Sequence, residues 1–118
     1  MTNQEFSING NNVEIHSAAK GRISVDLGSP IAQVLSVKSA LVVRTEPEPG
    51  SCENCNVFAI GSEGDLFWKV KSRKHVYDDS PYTHIELTDG KLVLINWDGL
   101  RVIVDPETFS EESEFYGR

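Results

Sequence analysis

Nowhere in this sequence do apolar residues run on for the roughly 18 positions that a membrane-spanning helix needs. The opening MTNQEFSINGNN lacks the basic and then apolar segments of a secretory signal, so the cytoplasm is the expected location. Basic residues are few: 11 Lys and Arg stand against 18 Asp and Glu, a formal net charge of −7. A field of that sign repels a phosphate backbone and an anionic bilayer, which argues against nucleic acid and membrane as partners. It favours solubility and can steer a basic protein towards the surface. Catalytic signatures are missing as well. There is no G-x-S-x-G nucleophile elbow, no H-E-x-x-H zinc helix and no Walker glycine loop. The expected protein is not an enzyme.

Cysteine is nearly absent, and the two that occur are Cys52 and Cys55 in the stretch SCENCN. A structural zinc ion wants four ligands, and this pair supplies two. The histidines His16, His75 and His84 show no paired spacing, so zinc at Cys52 and Cys55 calls on a distant side chain such as His75. A redox pair wants a helix start after the second cysteine to lower the thiol pKa, and no helical pattern follows Cys55. A disulfide clip runs against a reducing cytosol. A plain surface loop needs nothing further.

What the chain does have is alternation. VEIHS, RISVDL, IAQVLSV, ALVVRT, NVFAIG, DLFWKV, YTHIEL, KLVLINW and RVIVD are short, rich in Val, Ile, Leu and aromatics, and bounded by Gly, Pro, Asn, Asp or Ser. That is the pattern of strands joined by tight turns. Asp89-Gly90 and Asp98-Gly99 suit hairpin turns, because glycine supplies the positive φ a two-residue loop requires. The tail PETFSEESEFYGR fits a turn of helix or an edge strand.

The strands also repeat. PIAQVLSVKSALVVRT (Pro30 to Thr45) lies over PYTHIELTDGKLVLIN (Pro81 to Asn96), with Val34 on Ile85 and Leu41 on Leu92. VEIHSAAKGRISV, VFAIGSEGDLFWKV and VIVDPETFSEESEF each give a short strand, a polar turn and a second strand. Their starts at Val13, Val57 and Val102 are about 44 and 45 residues apart, the length of a propeller blade. In this alignment WDGL of the later copy corresponds to the longer TEPEPGSCENCN of the earlier one, so the cysteines fall on an inserted loop.

NVFAIGSEGDLFWKV resembles the blade motif of quinoprotein-type β-propellers through Ala59, Gly64 and Trp68. DPETF (Asp105 to Phe109) is similar to that family's Asp-Pro-x-Thr-Gly turn, with Phe109 in the glycine's place. SPYTHIELTDGKLVLINWDG resembles an inner strand pair. The resemblance covers about two and a half repeats and implies architecture, with glycine turning the outer hairpin and tryptophan docking on a neighbouring blade. No residue here matches the family's quinone-binding positions.

The expected fold is thus all-β, one domain over residues 1–118. It is an antiparallel meander of about nine or ten strands in propeller-blade-like hairpins. The half blade runs 13–27 and the blades run 31–70 and 82–115. So few blades cannot close a ring, leaving a small barrel, a sandwich or an oligomeric propeller-like assembly. An unclosed stack exposes a sheet edge, and self-association through that edge is expected.

Candidate binding residues follow from composition. KVKSRKH gathers four of the 11 basic residues, and Lys71, Arg73 and Lys74 make it a patch for an acidic partner or a solvated junction between blades. Trp97 ends a strand beside a turn and is the natural anchor if exposed, whereas Trp68 reads as core. His84, with Asp78, Asp79 and Ser80 nearby in sequence, contains the residue types of a hydrolytic triad, but a triad is a matter of geometry. The carboxylates are scattered and pair with nothing a sequence can show. The functional expectation is a small protein-interaction module. The alternatives are an acidic immunity-type inhibitor of a secreted toxin, and a metal or redox protein built on Cys52 and Cys55.

Overall fold

The computed structural model describes residues 5 to 117. They form eleven strands and, among the described residues, no helix. The strands are β1 (Phe6–Asn9), β2 (Asn12–Ser17), β3 (Gly21–Asp26), β4 (Ile31–Val37), β5 (Ala40–Thr45), β6 (Val57–Gly61), β7 (Leu66–Lys69), β8 (Tyr82–Thr88), β9 (Lys91–Asn96), β10 (Leu100–Val104) and β11 (Glu111–Tyr116). They pair in chain order, always antiparallel, into three sheets. Sheet 1 is β1-β2-β3, sheet 2 is β4-β5-β6-β7, and sheet 3 is β8-β9-β10-β11.

Two expectations need correction, and one choice between alternatives is decided. No sheet closes into a barrel: three or four strands are too few to curl shut, and the apolar faces are covered by stacking instead. The first unit is more than a half blade starting at Val13, because Phe6–Asn9 adds a strand before it. That strand has only four residues, and its apolar Phe6 and Ile8 sit in a polar stretch too short to signal alternation. Of the two readings of the tail, the edge strand is the one formed, as β11.

Sheet 2 is the middle layer. On one face its Leu41, Val43 and Ile60 pack with Val13 and Ile15 of sheet 1. On the other, Ala40, Val42, Val57 and Ala59 pack with Ile85, Leu92, Leu94, Val102 and Val104 of sheet 3. Residues of opposite strand parity are therefore both buried, which is why β5 reads as the unbroken run Ala-Leu-Val-Val instead of alternating. Each such fully buried aliphatic side chain contributes about 1.5–3 kcal/mol from apolar burial.

Sheets 2 and 3 repeat each other down to single hydrogen bonds. Glu46 N–H donates to the Pro30 carbonyl at 2.8 Å, and Trp97 N–H donates to the Pro81 carbonyl at 2.9 Å. The repeat changes register chiefly at the loop after β5, which runs from residue 46 to 56 where sheet 3 has Trp97 to Gly99, and again at the turn between the third and fourth strands, residues 62–65 in sheet 2 and 105–110 in sheet 3. Asp89 and Gly90, with φ of 52° and 76°, form the mirror-image turn of a tight hairpin. The Asp98-Gly99 turn is a three-residue loop, not two, with Gly99 N–H donating to the Asn96 carbonyl at 2.9 Å.

Gly64 and Phe109 both lie where the sheets meet. A Cβ on Gly64 would fall 2.8 Å from Ile23 Cγ2, and its φ is 85°, so glycine lets sheet 1 approach the β6–β7 turn. Phe109 adopts φ 59°, the left-handed conformation expected of the glycine it stands in for. Its ring is buried and meets Phe67 and Trp68, each with centroids 5.2 Å apart. Trp68, read as core, is only half-buried, because it covers the edge of this aromatic group. Burial outweighs strain here: losing the ring costs about 3–5 kcal/mol, against about 1–2 kcal/mol for left-handed backbone. Phe109→Gly is expected to lower unfolding free energy by about 2–4 kcal/mol in urea denaturation, although it relaxes the backbone.

Candidate functional site

The loop carrying Cys52 and Cys55 works through its asparagines. The Asn56 side chain is buried; its Nδ2 donates to the carbonyls of Thr45 (2.8 Å) and Tyr82 (2.9 Å), and its Oδ1 accepts from Tyr82 N–H at 2.8 Å. Asn54 repeats the device one step out, donating to the Asp78 carbonyl and accepting from Ser80 N–H, both at 2.8 Å. The Asp79 carboxylate completes the clamp, accepting from Gly50 N–H at 2.8 Å and Cys52 N–H at 3.2 Å. The loop therefore ties sheet 2 to the segment that leads into sheet 3. The plain-loop reading missed this because a sequence does not say what lies opposite an asparagine.

Both cysteines are free. Cys52 is exposed with φ 59°, while Cys55 is half-buried against the core shared by sheets 2 and 3. They line a cleft of about 370 Å³ together with Leu27, Phe58 and Lys69. No group of three or more His, Cys, Asp or Glu side chains disposed to hold a metal occurs among the described residues. His75, the proposed third ligand, turns instead to Asp98.

That pairing organises the second cluster. His75 Nδ1 lies 3.1 Å from Asp98 Oδ2, and the two side chains are 2% and 0% exposed. The same carboxylate oxygen accepts from Val76 N–H at 3.1 Å and from the Tyr116 hydroxyl at 3.2 Å, while Oδ1 accepts from Leu100 N–H at 2.9 Å. Burial by itself would raise the pKa of Asp98, but the N–H groups of Leu100 and Val76 and the His75 ring outweigh it and hold the carboxyl below its ordinary range. Asp98 thus gathers the β7–β8 linker, the β9–β10 turn and the end of β11. Trp97 and Tyr77, neighbours of Asp98 and Val76, stand out into solvent beside it. Val76 is 65% exposed, Tyr77 57%, Trp97 64% and Tyr116 58%.

Behind this cluster lies a buried ion pair. Arg73 reaches Glu111 at 2.5 Å and Glu114 at 2.7 Å, and its side chain is 14% exposed. Desolvation alone would lower the Arg73 pKa, and the two glutamates more than offset it. Burial pushes the Tyr82 phenol up to about 12, with Arg73 opposing and Glu111 reinforcing the shift. The expected basic patch is accordingly divided. Lys71 and Lys74 are exposed, but Arg73 is withdrawn from any partner because it neutralises Glu111.

The triad residues do not assemble. Ser80 is buried and donates its hydroxyl to Asn96 Oδ1, whereas His84 is exposed and lies 3.2 Å from Glu86. The His75–Asp98 pair has an acid–base look, but its closure to solvent and its bonds to backbone N–H groups make it a bracket. Only its separated positions in sequence concealed it; Asp98 was legible as a turn residue and His75 as a histidine of unknown use.

These features define an all-β protein of three stacked antiparallel sheets, with a side-chain bracket beneath an exposed aromatic group. The chain belongs to the family described as domain of unknown function DUF7957, whose profile matches residues 1–115. No curated protein matches the chain.

Two outcomes test the brackets. Asn56→Ala strips partners from three buried backbone groups and is expected to cost about 2–4 kcal/mol in urea denaturation, whereas Cys52→Ser stays within about 0.5 kcal/mol. Because the folded-state pKa of Asp98 is lowered, its stabilisation is complete above the unfolded value of about 3.9 and is lost as pH falls towards the folded value. Wild type should therefore lose more stability between about pH 5 and about pH 3 than Asp98→Asn does, measured by denaturation at each pH.

Proposed function

We infer that this chain is a non-enzymatic protein-binding module whose contact surface is Val76, Tyr77, Trp97 and Tyr116. The observation that carries this reading is the collection of four large side chains, each more than half exposed, around one buried carboxylate. Scattered exposed apolar residues are ordinary, but these four lie on segments that one buried carboxylate draws together, which favours a shared contact site. Tryptophan and tyrosine dominate the energetics of protein interfaces, and anchors fixed before binding lose little entropy on association. Lys74, next to His75 in the chain, adds positive charge near the group. The blade-like resemblance agrees with this use, since such scaffolds present their loops to partners.

A photo-crosslinking residue placed at Trp97 or at Tyr77 in the native cell tests the reading. The expected result is one shared crosslinked protein at both positions, absent when the probe replaces Lys20 in sheet 1. Equal crosslinking at all three positions would remove the proposal. Trp97→Ala with Tyr77→Ala is expected to weaken capture of that protein by at least about tenfold while leaving the melting temperature within a few degrees, as exposed anchors do.

A further inference from the structure

Among the described residues the internal repeat leaves one place unfilled. Sheets 2 and 3 each have four strands, beginning with β4 and β8, whereas sheet 1 has three. Its β2 and β3 correspond to β6 and β7, which makes β1 the counterpart of β5 and leaves no counterpart of β4 among the described residues. The vacant place lies along the open edge of β1.

The backbone at that edge is ready to pair. Asn9 and Asn12 close the two-residue turn between β1 and β2, so they form a hydrogen-bonded pair. Alternation then makes Ser7 with Glu14 the next such pair and turns the N–H and C=O groups of Phe6 and Ile8 towards the open edge. The side chains of Phe6 and Ile8 share a face with their partners Ile15 and Val13. Those partners are 2% and 0% exposed, yet Phe6 is 38% and Ile8 49% exposed. On the facing sheet, Val34 of β4 is only half-buried although it packs against the same core. A strand beside β1 would cover all three.

Every other edge strand is protected. β3 carries Arg22 and Asp26. β4, β7, β8 and β11 each pair with their neighbour through a register irregularity. β1, with the sequence Phe-Ser-Ile-Asn, has neither a charge nor an irregularity. Natural sheets blunt their edges by such devices, and an edge without them is a template for pairing.

Charge indicates the occupant. Glu5 precedes β1 and Glu14 stands across from Ser7, two carboxylates against the one Arg22 that lines the same cleft. Beyond the other end of β1, Asn11 shares a cleft of about 610 Å³ with Glu46, Glu48 and Glu53. We propose that the open edge of β1 takes in one extended segment of a partner protein, with alternating apolar residues flanked by Lys or Arg, as the fourth strand of sheet 1. Backbone pairing supplies the affinity in such strand addition, and alternate side chains supply the selectivity. A second copy of this chain is a poor occupant. Its own edge carries the same carboxylates.

The probe is the synthetic peptide Lys-Val-Thr-Val-Ser-Val-Lys, added to the full chain. Expected are slowed hydrogen exchange at the Phe6 and Ile8 amides and binding with Kd below about 1 mM. Ile8→Lys, or Phe6→Lys should the first variant fold poorly, is expected to weaken binding by at least about tenfold. A peptide with Glu in place of both lysines should bind at least about tenfold more weakly. Trp97→Ala should leave binding unchanged, which separates this edge from the aromatic surface. Absence of protection at those two amides, full binding by a folded edge variant, or protection arising from self-association without peptide would each overturn the proposal.

Discussion

Leu41, Val42 and Val43 are consecutive residues of one strand, and none of them touches water. Side chains of adjacent strand residues point to opposite faces, so this run demands an apolar layer on each side of sheet 2. Sheets 1 and 3 are those layers. The requirement sets the order of the stack, places β5 at its centre, and explains why three narrow sheets form one structure without closing a barrel. β5 as a whole serves two cores, Ala40 and Val42 the one with sheet 3 and Leu41 and Val43 the one with sheet 1, whereas β3 serves one through Ile23 and Val25.

Stacking buries side chains but leaves the segments between sheets with unpaired backbone groups, and polar side chains supply the missing partners. Asn56 bonds three backbone groups of Thr45 and Tyr82. Gln33 does the same between β4 and β8: its amide accepts from Ile85 N–H at 3.0 Å and donates to the Ile85 carbonyl at 2.6 Å, in the place a neighbouring strand would take. Asn96 holds the Ser80 carbonyl at 2.8 Å, and Asp98 ties three separate segments to one carboxylate. These amides and the carboxylate are worth more than ordinary surface hydrogen bonds, because their loss leaves buried partners unsatisfied.

The two ends of the stack differ as a result. Sheet 3 and its linker concentrate the brackets, and the side chains they hold at the surface are aromatic. Sheet 1 is tied through the buried Ser17, whose hydroxyl bonds Glu63 and the N–H groups of Ala19 and Lys20, and among the described residues it has three strands, with Phe6 and Ile8 of β1 partly exposed. At the first end Val76, Tyr77, Trp97 and Tyr116 are exposed; at the other, Phe6 and Ile8 are.

Alternation and turn residues were enough to establish the all-β class, the two four-strand repeats and the hairpins at Asp89-Gly90 and Asp98-Gly99, since these depend on neighbours within a few positions. β1 escaped notice because a four-residue strand carries too little pattern. The candidate site escaped more fully: Trp97 was legible as an aromatic beside a turn, but Val76, Tyr77 and Tyr116 join it only through Asp98, about 20 residues away from either neighbour in the chain. Arg73 looked like a surface cation until Glu111 lay beside it. The amino-acid order thus determined period, turns and repeat, because local sterics and hydrophobic patterning act over short separations. Which asparagines clamp, which charges vanish into pairs and which strand is left without a neighbour were decided by the stacking of the sheets, because these depend on residues that only folding brings within 3 Å or so of one another.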